Sequence, residues 1–245
     1  MGSLGGGKQN MTKKYELEED HIIFAGKVLH RIRATKDIIF AKKGDKGGFI
    51  ESERNLSQDG QCWVADDAKV FDNALVENDA IVYQRATISD HATISDYARI
   101  SGSAQVRDYA RIVDVANVNG EAEIRDGVLV HGCAKVTDHA RLFGECEVGG
   151  RGTIGGRVYI NAHARFVGDY NIRDYRDYLI VGPIGRMGNF LTVITRTGMT
   201  VIGNFEGSLN ELEREARERN QKDCLNLLTG IRNVVERRQK EIEEE

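Results

Sequence analysis

The chain has 245 residues, with 40% hydrophobic residues, 27 glycines, one proline and a formal net charge of −4. That length allows one or two domains, and the acidic balance argues against a general nucleic-acid binder, which is usually basic. No apolar run approaches the roughly 18 residues of a membrane span and no signal-peptide pattern stands at the start, so no membrane partner and a cytoplasmic location are expected.

Residues 1–11 are Gly-rich with a second methionine at Met11, and read as a disordered leader. Residues 12–61 read as an N-terminal β cap. Within it, residues 21–24 and 27–32 form a hairpin across Ala25 and Gly26, and residues 42–49 make a Gly-rich turn. From residue 62 the pattern changes to a strict period of six that runs to about residue 173, within a rod domain taken as 62–181. Small residues recur from Cys62, Ala68 and Ala74 to Ala164. Two places after each stands a large apolar one, from Val64, Val70 and Val76 to Phe166, with Ile172 one step further. Alternation within each six is that of a strand, with large and small residues both pointing inward. Between them sits Asp, Asn or Gly, as at Asp66, Asp72, Asn78, Asp108 and Gly144, residue types that tolerate the left-handed backbone of a corner. An unbroken short period predicts a solenoid in which each repeat packs only on its neighbours. Cys62 and Cys146 fall on the small inward position, and the four cysteines form no CxxC pair, so neither a disulfide framework nor a metal site is expected.

Residues 182–245 differ in composition and read as a ββαα module that begins at a Gly182-Pro183 junction. Strands are predicted over 191–196 and 200–205. Ser208 with Glu211 makes a capping box opening a helix whose apolar face is Leu209, Leu212 and Ala216. A second helix from about residue 223 carries Leu225, Leu228, Ile231, Val234 and Val235 at helical spacing, and the charged end from Glu236 is expected to fray.

The six-residue pattern over residues 62–173 resembles the hexapeptide-repeat family, whose signature is an aliphatic residue followed four places on by a small one. The resemblance implies a left-handed parallel β-helix with three sixes per triangular coil, and a homotrimer. The fold class is therefore mainly β: about six coils, a rod of about 30 Å at 4.8 Å per coil, with an N-terminal β cap and a small C-terminal α+β module. The run "GDKGGFIESERNLSQDGQCWV" is similar to the cap of hexapeptide proteins found in phages and gut bacteria, and the Gly/Arg/Asn/Thr pattern after Gly182 is similar to a tail of phage-type relatives. That likeness suggests a phage origin and implies no activity.

Two classes of function follow. Well-known members of the resembled family are acyltransferases that use acyl-CoA or acyl carrier protein, with a catalytic His near a loop that interrupts the coils. Here the coils are unbroken, and the only candidates are outward histidines. His91 or His139 is the choice if the protein is an enzyme, and acyl-CoA would then be the donor. A family carbonic anhydrase binds zinc through histidines close in sequence, a pairing this chain lacks. The favoured expectation is a non-catalytic, oligomeric binding protein with no cofactor, taking a small anionic, nucleotide-like ligand or a host protein. Its expected ligand-binding residues are Arg186, Asn189, Thr192, Thr195, Arg196 and Asn204, a set of donors and hydroxyls among glycines. A purely structural spacer is the remaining alternative. Ten outward apolar residues (Phe71, Leu75, Ile81, Tyr83, Tyr97, Val113, Val115, Leu129, Phe143 and Val167) are expected to be exposed and to drive self-association.

Overall fold

A computed structural model describes residues 13–184 and 188–244. The strict six-residue period becomes nineteen strands of two or three residues, running from Trp63–Val64 to Asn171–Ile172. They stack as three parallel sheets with seven, six and six rod strands, a parallel β-solenoid of about seven turns. Register follows the sequence directly, since each strand pairs with the one eighteen residues on: Arg99 with Asn117, Gln105 with Glu123, Arg111 with Leu129. Inside, both apolar series are sealed from solvent, with Ala68, Ala104, Val106, Ile112 and Val130 all at zero exposure. A six-residue repeat whose large and small residues both face inward can close only as a narrow coil filled by its own side chains.

The corners carry the strain. Every sixth residue from Asp66 to Gly156 has a positive φ, for example Asp108 at 58° and Asp126 at 57°. Gln84, which the sequence did not mark as a turn former, holds φ 59° in the same series. Short polar side chains meet the left-handed conformation by bonding locally, and here they bond along the rod. Asp108 Oδ2 accepts from the Asp126 N–H at 3.3 Å, and Asp126 Oδ2 accepts from the Gly144 N–H at 2.8 Å. Asp114 accepts from Gly132, and Asp138 from Gly156, each at 2.8 Å. A corner carboxylate thus satisfies a backbone donor of the next coil, where no ladder bond exists.

At the N-terminal end, β1 (Tyr15–Phe24) and β2 (Lys27–Ala34) pair antiparallel, and β3 (Lys46–Ile50) joins β2 to the first rod strand of its sheet. The hairpin is longer than the expected 21–24 and 27–32, and its two-residue turn is Ala25 and Gly26 at φ 51° and 75°. Lys14 is buried here, with no carboxylate paired to it among the described residues. Its Nζ donates to the Asp59 carbonyl at 3.0 Å and to Cys62 Sγ at 3.1 Å.

At the other end a four-stranded antiparallel sheet runs in sequence order: β23 (Tyr178–Ile184), β24 (Asn189–Ile194), β25 (Met199–Ile202) and β26 (Phe205–Ser208), the rod strands being β4 to β22. Two of these strands were not expected. β23 passes through Gly182-Pro183, which read as a junction; it is an edge strand, where a proline lacking an N–H is tolerated. The segment 200–205 is split at Gly203 and Asn204, a two-residue hairpin turn. The helices α1 (Leu209–Glu218) and α2 (Lys222–Glu243) pack Leu209, Leu212, Ala216, Leu228, Ile231 and Val235 on Leu191 and Val193 as a second core. The Ser208–Glu211 capping box is present in both directions: Glu211 N–H to Ser208 Oγ, and Ser208 N–H to Glu211 Oε2 at 2.7 Å. The charged C-terminal stretch stays helical to Glu243 instead of fraying, because Arg238 and Gln239 donate to the carbonyls of Tyr175, Tyr178 and Thr195.

The expected apolar surface is smaller than the sequence suggested. Phe71 is buried under the N-terminal hairpin, its ring 5.8 Å from Phe24. Phe143 is buried under the Arg125 guanidinium, 3.8 Å above its ring. Leu75, Ile81, Tyr83, Val113, Leu129 and Val167 are half-buried by their neighbours on the strands and corners. Tyr97 and Val115 alone among the ten are exposed.

Candidate functional site

Rod and C-terminal module meet at Arg165. Its backbone N–H donates to Thr192 Oγ1 at 3.2 Å and its Nε to Glu147 Oε2 at 2.9 Å. Its two terminal nitrogens donate to the Gly203 carbonyl at 2.8 Å and to Glu206 Oε1 at 3.0 Å. A guanidinium can do this because its donors project in a fixed planar fork. The strand turn at Gly203 and Asn204 is thereby held against the last coils of the rod.

Behind that turn lies a cleft of about 670 Å³ between the sheet and the helices. Its lining mixes apolar residues, Ile202, Phe205, Leu212 and Ala216, with polar ones, Asn189, Asn204, Glu206, Glu215, Arg219 and Gln221, drawn from both the strands and the helices. Its acids are already engaged: Glu206 with Arg165, and Glu215 with Arg219 at 2.6 Å. Cys224 also lines the cleft, and burial pushes its thiol pKa upward. A smaller cavity of about 330 Å³ lies on the rod side of the same turn, between Glu147, Arg165 and Phe190. Asn189 and Gly203 border both spaces.

The residues singled out from sequence separate into groups. Asn189 and Asn204 line the cleft. Thr192 and Thr195 are buried, Thr192 as the acceptor for Arg165 and Thr195 with its hydroxyl unpaired in the core, so neither faces the cleft. Arg196 points elsewhere, its Nε on Asp177 Oδ1 at 2.9 Å. Arg186 lies outside the described residues. Sequence reading missed Glu206, Glu215, Arg219 and Gln221. Their signal was positional: Arg219 follows the last residue of α1 and Gln221 precedes the first of α2, so the inter-helix turn carries them to the mouth of the cleft.

Of the two histidines named for an enzyme, His91 has Nε2 3.2 Å from Asn73 Nδ2, and His139 has Nε2 3.4 Å from Glu121 Oε2 with both side chains exposed. His163, which was not chosen, is better placed. Its Nδ1 stands 3.1 Å from Glu145 Oε2, its ring stacks on Phe190 at 5.4 Å, and it borders the smaller cavity. Among the described residues no group of three or more His, Cys, Asp or Glu is placed to hold a metal ion, and no helix is long and apolar enough to cross a membrane. By fold the chain is a parallel β-solenoid followed by a C-terminal antiparallel sheet and two helices. No protein-family model matches it, and no curated protein matches it significantly.

Proposed function

We propose that this is a cytoplasmic, non-catalytic binding protein of hexapeptide-repeat type whose ligand enters the cleft between the C-terminal sheet and helices. The observation that carries the reading is the mixed apolar and polar lining of that cleft. Phe205, Ile202 and Leu212 offer a surface for a ring, while Asn189, Asn204 and Arg219 offer donors for a polar head. An anionic group would compete with Glu215 for Arg219, so a small, nucleotide-like anion suits this lining. The resemblance of the cap and tail to phage-type proteins supports a phage-encoded protein that sequesters such a host molecule. The hexapeptide-repeat resemblance of residues 62–173 supports a left-handed coil and a trimer, with the exposed Tyr97 and Val115 on one edge of the rod as contact residues.

Native mass spectrometry of the gently purified protein tests this. A co-purifying small mass should be present in the wild type and in Arg196→Ala, and absent in Arg219→Ala and Asn204→Ala. A clean chain that also binds no nucleotide on titration would sink the ligand reading and favour a protein partner or a spacer. One observation favours a second reading, the acyltransferase: Glu145 stands 3.1 Å from His163 Nδ1, as a carboxylate that orients a general base would. Turnover of an acyl-CoA donor lost in His163→Ala, but kept in His91→Ala and His139→Ala, would establish it.

A further inference from the structure

One edge of the rod is built from the residue that follows each corner. Successive coils there place Asn73, His91, Tyr109, Gly127, Glu145 and His163, each eighteen residues apart. The side chains stack on one another. Asn73 touches His91, the His91 and Tyr109 rings lie 4.9 Å apart and only 15° from parallel, and Glu145 pairs with His163. The stack breaks once, at Gly127.

Nothing in the backbone demands a glycine there. Its φ is not left-handed, and a Cβ would meet only Glu145 Cγ at 3.4 Å and the Gly144 carbonyl oxygen at 3.7 Å, ordinary contacts. The missing side chain leaves an open notch of about 610 Å³, bounded by Tyr109, Asp108, Asp126, Gly127, Glu145 and His163. Tyr109 and Glu145 are two coils apart, about 9.6 Å at the usual strand spacing. A flat group midway between them would lie against the Tyr109 ring at the separation that His91 keeps on its other face.

Charge narrows the choice of flat group. Asp108 and Asp126 each spend one carboxylate oxygen on a backbone N–H of the next coil, and among the described residues the other oxygen has no partner. With Glu145 that makes three carboxylates against one imidazole. A neutral ring would leave them unmatched. An ammonium would match the charge but not the flat slot. A guanidinium satisfies both: it stacks on an aromatic face and presents paired N–H donors in the plane to carboxylates.

We propose that the Gly127 notch is a binding site for a guanidinium group, stacked on Tyr109 and bonded at its edge by Asp108 and Asp126. This site is separate from the C-terminal cleft and stands whether or not that cleft binds a nucleotide. The group arrives either on a small molecule or on an arginine of a second copy of this chain.

Calorimetric titration of the full chain with N-acetyl-argininamide, and with N-acetyl-lysinamide as the flexible cation, tests the first source. The arginine compound should bind the wild type at least about tenfold more tightly than it binds Gly127→Phe, which fills the slot, or Tyr109→Ala, which removes the exposed platform. The lysine compound should bind no better to the wild type than to the variants. Sedimentation of the same three proteins tests the second source: self-association weakened in both variants assigns the guanidinium to a partner copy. Titration and sedimentation alike in all three proteins, or equal binding of both compounds to the wild type, overturns the proposal.

Discussion

Gly152 and Tyr170 stand eighteen residues apart and share one space inside the rod. Both occupy the small inward position of the repeat. Tyr170 fits there only because the coil before it carries no side chain: a Cβ on Gly152 would lie 2.2 Å from the Tyr170 ring. The hydroxyl is paired, donating to the Gly149 carbonyl at 2.9 Å, and burial pushes its pKa up. Gly152→Ala should therefore cost about 1–3 kcal/mol through overpacking, and much of it should return in the double variant with Tyr170→Ala. Urea unfolding of the four proteins measures the coupling; additive effects would show that the two residues do not share the space. Asp138 makes a different residue-scale case. The Gly156 N–H, and next the Arg173 guanidinium, hold its carboxyl below the ordinary carboxylate range. A depressed folded value means that its contribution is complete above the unfolded pKa of about 3.9 and is lost as pH falls through the folded one. Asp138→Asn should thus be less stable than the wild type at pH 7, with the gap closing in acid. A gap that stays constant from pH 7 to pH 3 would show that the charge is not the source.

At the scale of elements, α2 is the test of what docks the C-terminal module. Its last turns are strongly charged, yet Arg238 reaches the Tyr175 carbonyl at 3.1 Å and also the Tyr178 carbonyl, and Gln239 reaches the Thr195 carbonyl at 2.7 Å. Removing a charged donor from such carbonyls costs about 1–3 kcal/mol. Arg238→Ala should raise amide exchange over residues 236–243 while leaving the rod's protection unchanged; unaltered exchange there would mean that the apolar face alone holds the helix. The same element shows why legibility varied. The rod was readable because its rule is local and repeated: inward apolar residues and corner Asp or Gly declare themselves every six positions. The capping box and the apolar faces of both helices were readable for the same reason. The persistence of α2 was not, because its anchors lie on strand and loop carbonyls some sixty residues earlier for Arg238. β23 was hidden by its Gly-Pro, which only an edge position excuses. The cleft was half legible: Asn189 and Asn204 line it as donors, whereas Thr192 and Thr195 looked like ligand donors but are buried, Thr192 against Arg165 of the rod and Thr195 just past the end of β24. Arg219 joins the site only through the packing of α1 against the sheet.

For the whole molecule, the governing fact is that contacts run from each coil to the next. Corner carboxylates bond to residues eighteen on, and every rod strand pairs at that interval. Stability of such a stack is a sum over repeats and their interfaces, with ends that need covering. Here the N-terminal hairpin covers Phe71 at one end, and the Arg165 contacts seat the module at the other. Deleting one complete coil, residues 87–104, joins Ala86 to Gln105 and restores every column. The shortened rod, about 4.8 Å less in length, should unfold cooperatively at a temperature within about 5 °C of the parent, since only one of several equivalent interfaces is lost. Deleting three residues, 87–89, removes far less chain but reverses the inward and outward faces beyond the cut, placing Arg107 and Arg125 where Ala104 and Ala122 belong and Glu121 where Val118 belongs. That variant should lose its cooperative transition. Circular dichroism melts of the two decide the matter: similar behaviour would mean that the rod is held by long-range contacts with its end modules, not by the stacking of one coil on the next.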